Sequence, residues 1–175
     1  MKKEKLIRTG VFETNSSSCH SLSISDDIKL FDTIYPDEEG NILLNGGEFG
    51  WEEEIYNDAI TKANYVAVMI LLLESAKETF NERENKESFN DYTLPPFADK
   101  NYEICKNNFE EVIKEQTGAN LIYNCSLDFN NENWSYIDHQ SFECKEDAEW
   151  LLSKEQIRNF IFNPNSILIT DNDNH

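Results

Sequence analysis

Basic residues are scarce in this chain: 15 Lys and Arg stand against 34 Asp and Glu over 175 residues, a net charge of −19 with His neutral. An imbalance of that size repels nucleic acid and anionic membranes and favours encounters with basic surfaces. Cysteine is also sparse. Cys19, Cys105, Cys125 and Cys144 show neither CxxC spacing nor the density of a disulfide framework, which argues for a reducing, intracellular setting. The longest apolar run, 66–73, falls well short of the roughly 20 residues a membrane span needs. No export segment follows the basic start, because Arg8, Glu13 and the serines interrupt it. The acids that dominate the charge are grouped. Asp37, Glu38, Glu39, Glu48, Glu52, Glu53 and Glu54 form one block without a base, and Asp128, Glu132, Asp138, Glu143, Glu146, Asp147 and Glu149 form a second, relieved only by Lys145.

At this length the chain is expected to form one domain, 1–175, with a core of its own. Segments 6–13 and 19–25 carry β-formers on either side of a polar run, which predicts two strands joined at the serines. Further short strands are predicted over 29–35 and 41–44, the latter leading into the turn Asn45-Gly46-Gly47. From 52 to about 83 the period changes. Ile55, Ala59, Ile60, Ala63, Val66, Ala67, Ile70, Leu71, Leu73, Ala76 and Phe80 recur at three- and four-residue steps with no Gly or Pro between them, so this stretch predicts a long core helix, the longest element, buried along Ile55, Ile60, Ala63, Ala67, Ile70 and Leu71. A polar loop containing Pro95-Pro96 is expected over 85–99, then a second helix over 100–116 closed by Gly118. A strand over 119–129 with a hairpin partner over 134–141 follows, then a short helix over 145–152. Another helix starts after Ser153, where Gln156 completes a capping box, and the last strand is 166–170. The fold class is α+β: a mixed or antiparallel sheet built from N-terminal strands, a later hairpin and a C-terminal strand, packed against a long central helix and shorter helices.

Hydrogen-bonding side chains are densest in Thr14, Asn15, Ser16, Ser17, Ser18, Cys19, His20 and Ser21. Small hydroxyl and amide groups at a strand end bend the backbone, and they can also hold an anion or a metal-bound water. The run contains His20, one of only three histidines. It is therefore a candidate site as well as a turn, with Asn15, Ser16 and Ser17 as binding residues and Ser18 and His20 as catalytic ones. The second locus is Tyr136-Ile137-Asp138-His139-Gln140-Ser141, where a carboxylate and an imidazole suit a divalent metal or acid–base work. Neighbours on a strand point to opposite faces, so Asp138 and His139 meet one ion only at a strand end or bulge. Asp171 and Asp173, two apart, complete a metal set of His20, Asp138, His139, Asp171 and Asp173. No other cofactor is expected. The glycines of 46–51 lack the lysine and serine of a phosphate loop, and the acids there repel phosphate. Glu48 and Trp51 instead join Glu74, Glu78 and Glu82, which follow a four-residue helical spacing, as candidate contacts for a basic partner.

Taken together, Val11-Phe12-Glu13-Thr14-Asn15-Ser16-Ser17-Ser18 with His20-Ser21-Leu22, Gly47-Glu48-Phe49-Gly50-Trp51 and Ile137-Asp138-His139-Gln140-Ser141 carry a resemblance. The chain resembles uncharacterised proteins of phages and mobile elements in Gram-positive bacteria. That resemblance brings no catalytic roles; it implies a context of genes acting on host defence or host replication, in the host cytoplasm. The leading expectation is an acidic accessory protein that binds and inhibits a basic, nucleic-acid-binding host protein, of anti-restriction or anti-CRISPR type, without touching nucleic acid or membrane itself. Carboxylates one helical turn apart lie roughly 6 Å from each other, close to the phosphate spacing along a strand, so such a helix can act as a DNA mimic. The alternative is a hydrolase, metal-assisted by a divalent ion, with the Ser/His loop and the Asp138-His139 pair in its pocket.

Overall fold

A computed structural model describes residues 4–6, 18–25, 32–50, 53–84, 86–138 and 141–172. The fold is α+β. Its main sheet has four strands in the order β1 (Glu4–Leu6), β2 (Ser18–Ser25), β8 (Ile167–Asn172), β5 (Glu54–Tyr56), and every pairing in it is antiparallel. β1 pairs with β2, Glu4 lying opposite Ser25, but it starts before the strand expected over 6–13 and shares only Leu6 with it. Residues 7–13 of the expected first strand lie outside the described residues. Ser18 does not belong to the turn as expected: it begins β2, opposite Asn172. Of the strand expected over 29–35, the described residues 32–35 are irregular.

The helix predicted from 52 starts later, at Ala59, and runs to Glu82 as α1. Asp58 sets that start: its backbone is extended and its carboxylate accepts the Thr61 N–H at 2.8 Å, as an N-cap does. Residues 54–56 form β5 instead, and Ile55 there is 66% exposed. Ala63, Ala67 and Ile70 are buried as expected, whereas Ile60 is exposed and Leu71 half-buried. The loop expected up to 99 also ends early, because α2 is Leu94–Thr117 with prolines in its first turn. Pro95 and Pro96 begin a helix here, since the first-turn N–H groups have no intrahelical acceptor to lose. At 24 residues α2 matches α1, so α1 is not uniquely the longest element. Gly118 closes α2 at φ 73°, with its N–H on the Lys114 carbonyl.

The expected hairpin over 119–141 is replaced by two parallel pairs. β6 (Asn120–Tyr123) lies beside β3 (Asn41–Leu44), and β7 (Tyr136–Ile137) beside β4 (Glu48–Phe49). Parallel partners need a long crossover, here supplied by α1 and α2 between β3 and β6. Short helices α3 (Lys145–Ala148) and α4 (Lys154–Phe162) follow, and Ser153 accepts the Gln156 N–H at the start of α4.

The core is one cluster running from Leu22 and Ile24 of β2 through α1, Phe109, Val112 and Ile113 of α2, and Phe160 of α4, to Leu168 of β8. By length and composition α1 is apolar enough to cross a bilayer, but more than half of its apolar window is buried within the protein, as in a core helix. An ammonium lies inside that core. Lys62 is fully buried, and its Nζ donates to the carbonyl oxygens of Asn163 at 2.9 Å and Ser166 at 3.0 Å, tying the α4–β8 turn to α1. Desolvation lowers its pKa to about 8, against the opposing pull of Asp32 and Asp58.

Candidate functional site

In β2 the side chains at 20, 22 and 24 share one face, and Leu22 and Ile24 hold that face to the core. His20 is therefore buried beside them, opposite Thr170 of β8. Its Nδ1 lies 3.3 Å from the Tyr65 hydroxyl of α1, the two rings being tilted at a centroid distance of 5.9 Å. Of the remaining residues of the polar run, Asn15, Ser16 and Ser17 lie outside the described residues.

The second locus sits at the end of the β4–β7 pair. Asp138 is buried just past β7; its N–H donates to the Phe49 carbonyl at 2.9 Å, and its carboxylate accepts the Tyr136 hydroxyl at 2.7 Å. Gly50 permits this approach, because a Cβ there would stand 2.9 Å from that of Asp138. Residues 136 and 138 face the same way along the strand, which makes Tyr136 the carboxylate's partner. His139 lies outside the described residues. Phe49 packs edge-on against Tyr65 at 5.1 Å, so the two loci share a wall: His20 touches Tyr65, Tyr65 touches Phe49, and Phe49 carries Asp138 on its carbonyl. Asp171 is paired with Cys19 in the β2–β8 ladder, and Asp173 lies outside the described residues. Among the described residues no three His, Cys, Asp or Glu side chains converge as a metal site.

The acidic candidates divide. Glu48 is exposed on β4, and Trp51 lies outside the described residues. Glu78 and Glu82 are exposed on α1, whereas Glu74 is half-buried and accepts the Tyr102 hydroxyl at 2.7 Å. Burial and the Glu74 carboxylate together push the Tyr102 phenol well above its ordinary range. The structure adds a residue that helical spacing does not reveal. Glu74 and Glu78 line an open groove of about 350 Å³ together with Asp128, Leu71, Leu127 and Cys125, and no described base lines it. Hydrogen bonds from Asn130 hold the Asp128 carboxyl below the usual carboxylate range. Three acids of α2 are occupied by contrast: Glu103 pairs with Lys77 at 2.8 Å, Glu115 with Arg158 at 2.7 Å, and Glu111 with Lys154.

No family model, no curated protein and no solved structure matches this chain. Chemically, the groove gathers three carboxylates beside Leu71, Leu127 and Cys125, which suits a cationic group. The His20–Tyr65 contact is a buried polar pair with the geometry of a hydrogen bond.

Proposed function

We propose that this chain is an acidic binding protein of a phage or mobile element that occupies a basic, nucleic-acid-binding surface of a host protein and so inhibits it. The observation that carries this reading is the groove in which Glu74 and Glu78 of α1 meet Asp128 with no described base among its lining residues. Glu82 continues the acidic row one turn further along α1, and the net charge of −19 supplies a field of the same sign. Three α2 acids, Glu103, Glu111 and Glu115, are already held in ion pairs and are less available to a partner.

Capture on the immobilised protein from a Gram-positive host lysate tests the reading. A nucleic-acid-binding protein enriched at low salt and released at high salt supports it, because ions screen exposed charges beyond roughly 10 Å at 0.1 M. Absence of any enriched partner at low salt contradicts it.

The second reading, a hydrolase, is supported only by the contact path that runs from His20 through Tyr65 and Phe49 to the Asp138 backbone. It requires His20→Ala to abolish an activity while leaving the acidic groove able to bind.

A further inference from the structure

The protein's own cations lie over five of its aromatic rings outside the α4 core. Lys77 and Lys106 lie over Tyr102, Lys106 also over Tyr123, Arg83 over Phe89, Lys86 over Phe80 and Lys145 over Tyr92, at 4.4 to 5.9 Å from the ring centres. A surface cluster of rings lies outside that set. Phe129 stands edge-on to Trp134 at 5.1 Å, and Trp134 stacks on Tyr136 at 5.7 Å and 22°, yet no described cation lies over Phe129 or Trp134. Phe129 is 76% exposed, so its ring contributes little to folding.

The loop that presents Phe129 is fixed by its own hydrogen bonds. Ser126 and Ser135 close its base: the Ser126 N–H donates to the Asn133 carbonyl at 2.9 Å and the Ser135 N–H to the Ser126 carbonyl at 2.7 Å. Within it, Asp128 accepts the Asn130 N–H at 2.9 Å, and Asn131 accepts the Asn133 N–H at 2.9 Å. A ring held on such a loop loses little conformational freedom when a partner docks. The same loop carries acid. Asp128, which lines the groove with Glu74 and Glu78, directly precedes Phe129, and Glu132 is exposed two residues before Trp134.

We propose that Phe129 and Trp134, with Asp128 and the Glu74–Glu78 groove beside them, form a docking surface for arginine side chains of a basic protein partner. A guanidinium is planar and weakly hydrated; it stacks on an aromatic face while its N–H groups donate to carboxylates, which an ammonium does less well. Single-stranded nucleic acid also stacks on exposed rings, but its phosphates are repelled by these carboxylates and by the net charge. This inference rests on the acidic-binder reading and assigns its specificity to arginine and its contact to the 128–134 loop.

The test measures fluorescence anisotropy of labelled oligo-arginine and oligo-lysine peptides of equal length at low salt, with wild type, Phe129→Ala, Phe129→Tyr and the pair Glu78→Lys/Glu82→Lys. Far-ultraviolet circular dichroism checks that each variant is folded. Wild type should prefer the arginine peptide by about fivefold, the worth of an exposed cation–π contact. Phe129→Ala should abolish that preference and leave lysine-peptide binding unchanged, while Phe129→Tyr, which keeps the ring, retains it. Equal binding of both peptides, untouched by Phe129→Ala but weakened by the charge reversals, overturns the arginine surface and leaves the acidic reading standing. No binding of either peptide overturns both. Phe129-dependent binding of a single-stranded oligonucleotide also overturns the proposal.

Discussion

Replacing Lys62 with Met removes the one buried ammonium described in the core, and the structure fixes how the cost should depend on pH. Two opposing effects meet there. The Nζ donates to two buried carbonyl oxygens, and an unsatisfied buried acceptor costs about 1–3 kcal/mol each. Against this, burial of the charge lowers the lysine pKa from 10.5 to about 8, equivalent to ~3 kcal/mol against the charged form. Below about pH 8 the lysine is charged in folded and unfolded chains alike, so the full burial penalty weakens the fold. Between about 8 and 10.5 the folded lysine has lost its proton while the unfolded one keeps it, so rising pH stabilises the wild type. The Met variant lacks that gain. Its destabilisation relative to wild type should therefore grow by ~3 kcal/mol from neutral pH to above 10, whatever the value at neutral pH. Urea unfolding of both proteins at a series of pH values, followed by tryptophan fluorescence, reads this difference directly. The Cys105 thiol, pushed up to about 12 by burial, acts in the opposite direction above its ordinary range, but it does so in both proteins and cancels. A difference that stays constant with pH, or shrinks as pH rises, refutes the buried-ammonium argument.

Ile70 is buried in α1, so Ile70→Asp should unfold the chain, as an unpaired charge costs several kcal/mol against a domain stability of about 5–15 kcal/mol; circular dichroism checks this. Gly118→Ala should cost about 1–2 kcal/mol in urea unfolding, since φ is 73° and nothing within 4 Å would meet the new Cβ, leaving backbone strain alone. Gly46→Ala should cost more, because a Cβ there would fall 2.1 Å from the Ser135 hydroxyl as well as facing a φ of 68°. Charge reversal at Glu78 and Glu82, both exposed, should shift the unfolding midpoint little, whereas reversal at Glu74 should lower it by also breaking the Tyr102 hydrogen bond.

What the sequence made legible was local. The alternation of His20, Leu22 and Ile24 with serines contained the inward direction of the imidazole, and the apolar period with Gly118 contained the bodies and one end of the long helices. Even the start of α1 was written in Asp58, but Ile55 extended the apolar period past it into an exposed strand. Pro95-Pro96 is ambiguous by nature, since proline breaks a helix interior and favours its first turn. The parallel pairings were not legible: nothing within 120–123 specifies 41–44 as partner across two intervening helices, and a turn-rich segment between strands is the usual sign of a hairpin. For the same reason the four-residue spacing of Glu74 and Glu78 was visible while the approach of Asp128 was not. That proximity is made by the tertiary path of the 124–135 loop.

The claim that this protein competes with nucleic acid for a basic surface is tested most directly by displacement. A labelled duplex is bound to the partner captured from host lysate, and its anisotropy is followed as this protein is added. The account predicts that the duplex is released, that high salt abolishes the effect, and that Glu78→Lys/Glu82→Lys releases far less. A duplex that stays bound while this protein is also bound, or release by the charge-reversed variant equal to that by wild type, contradicts it.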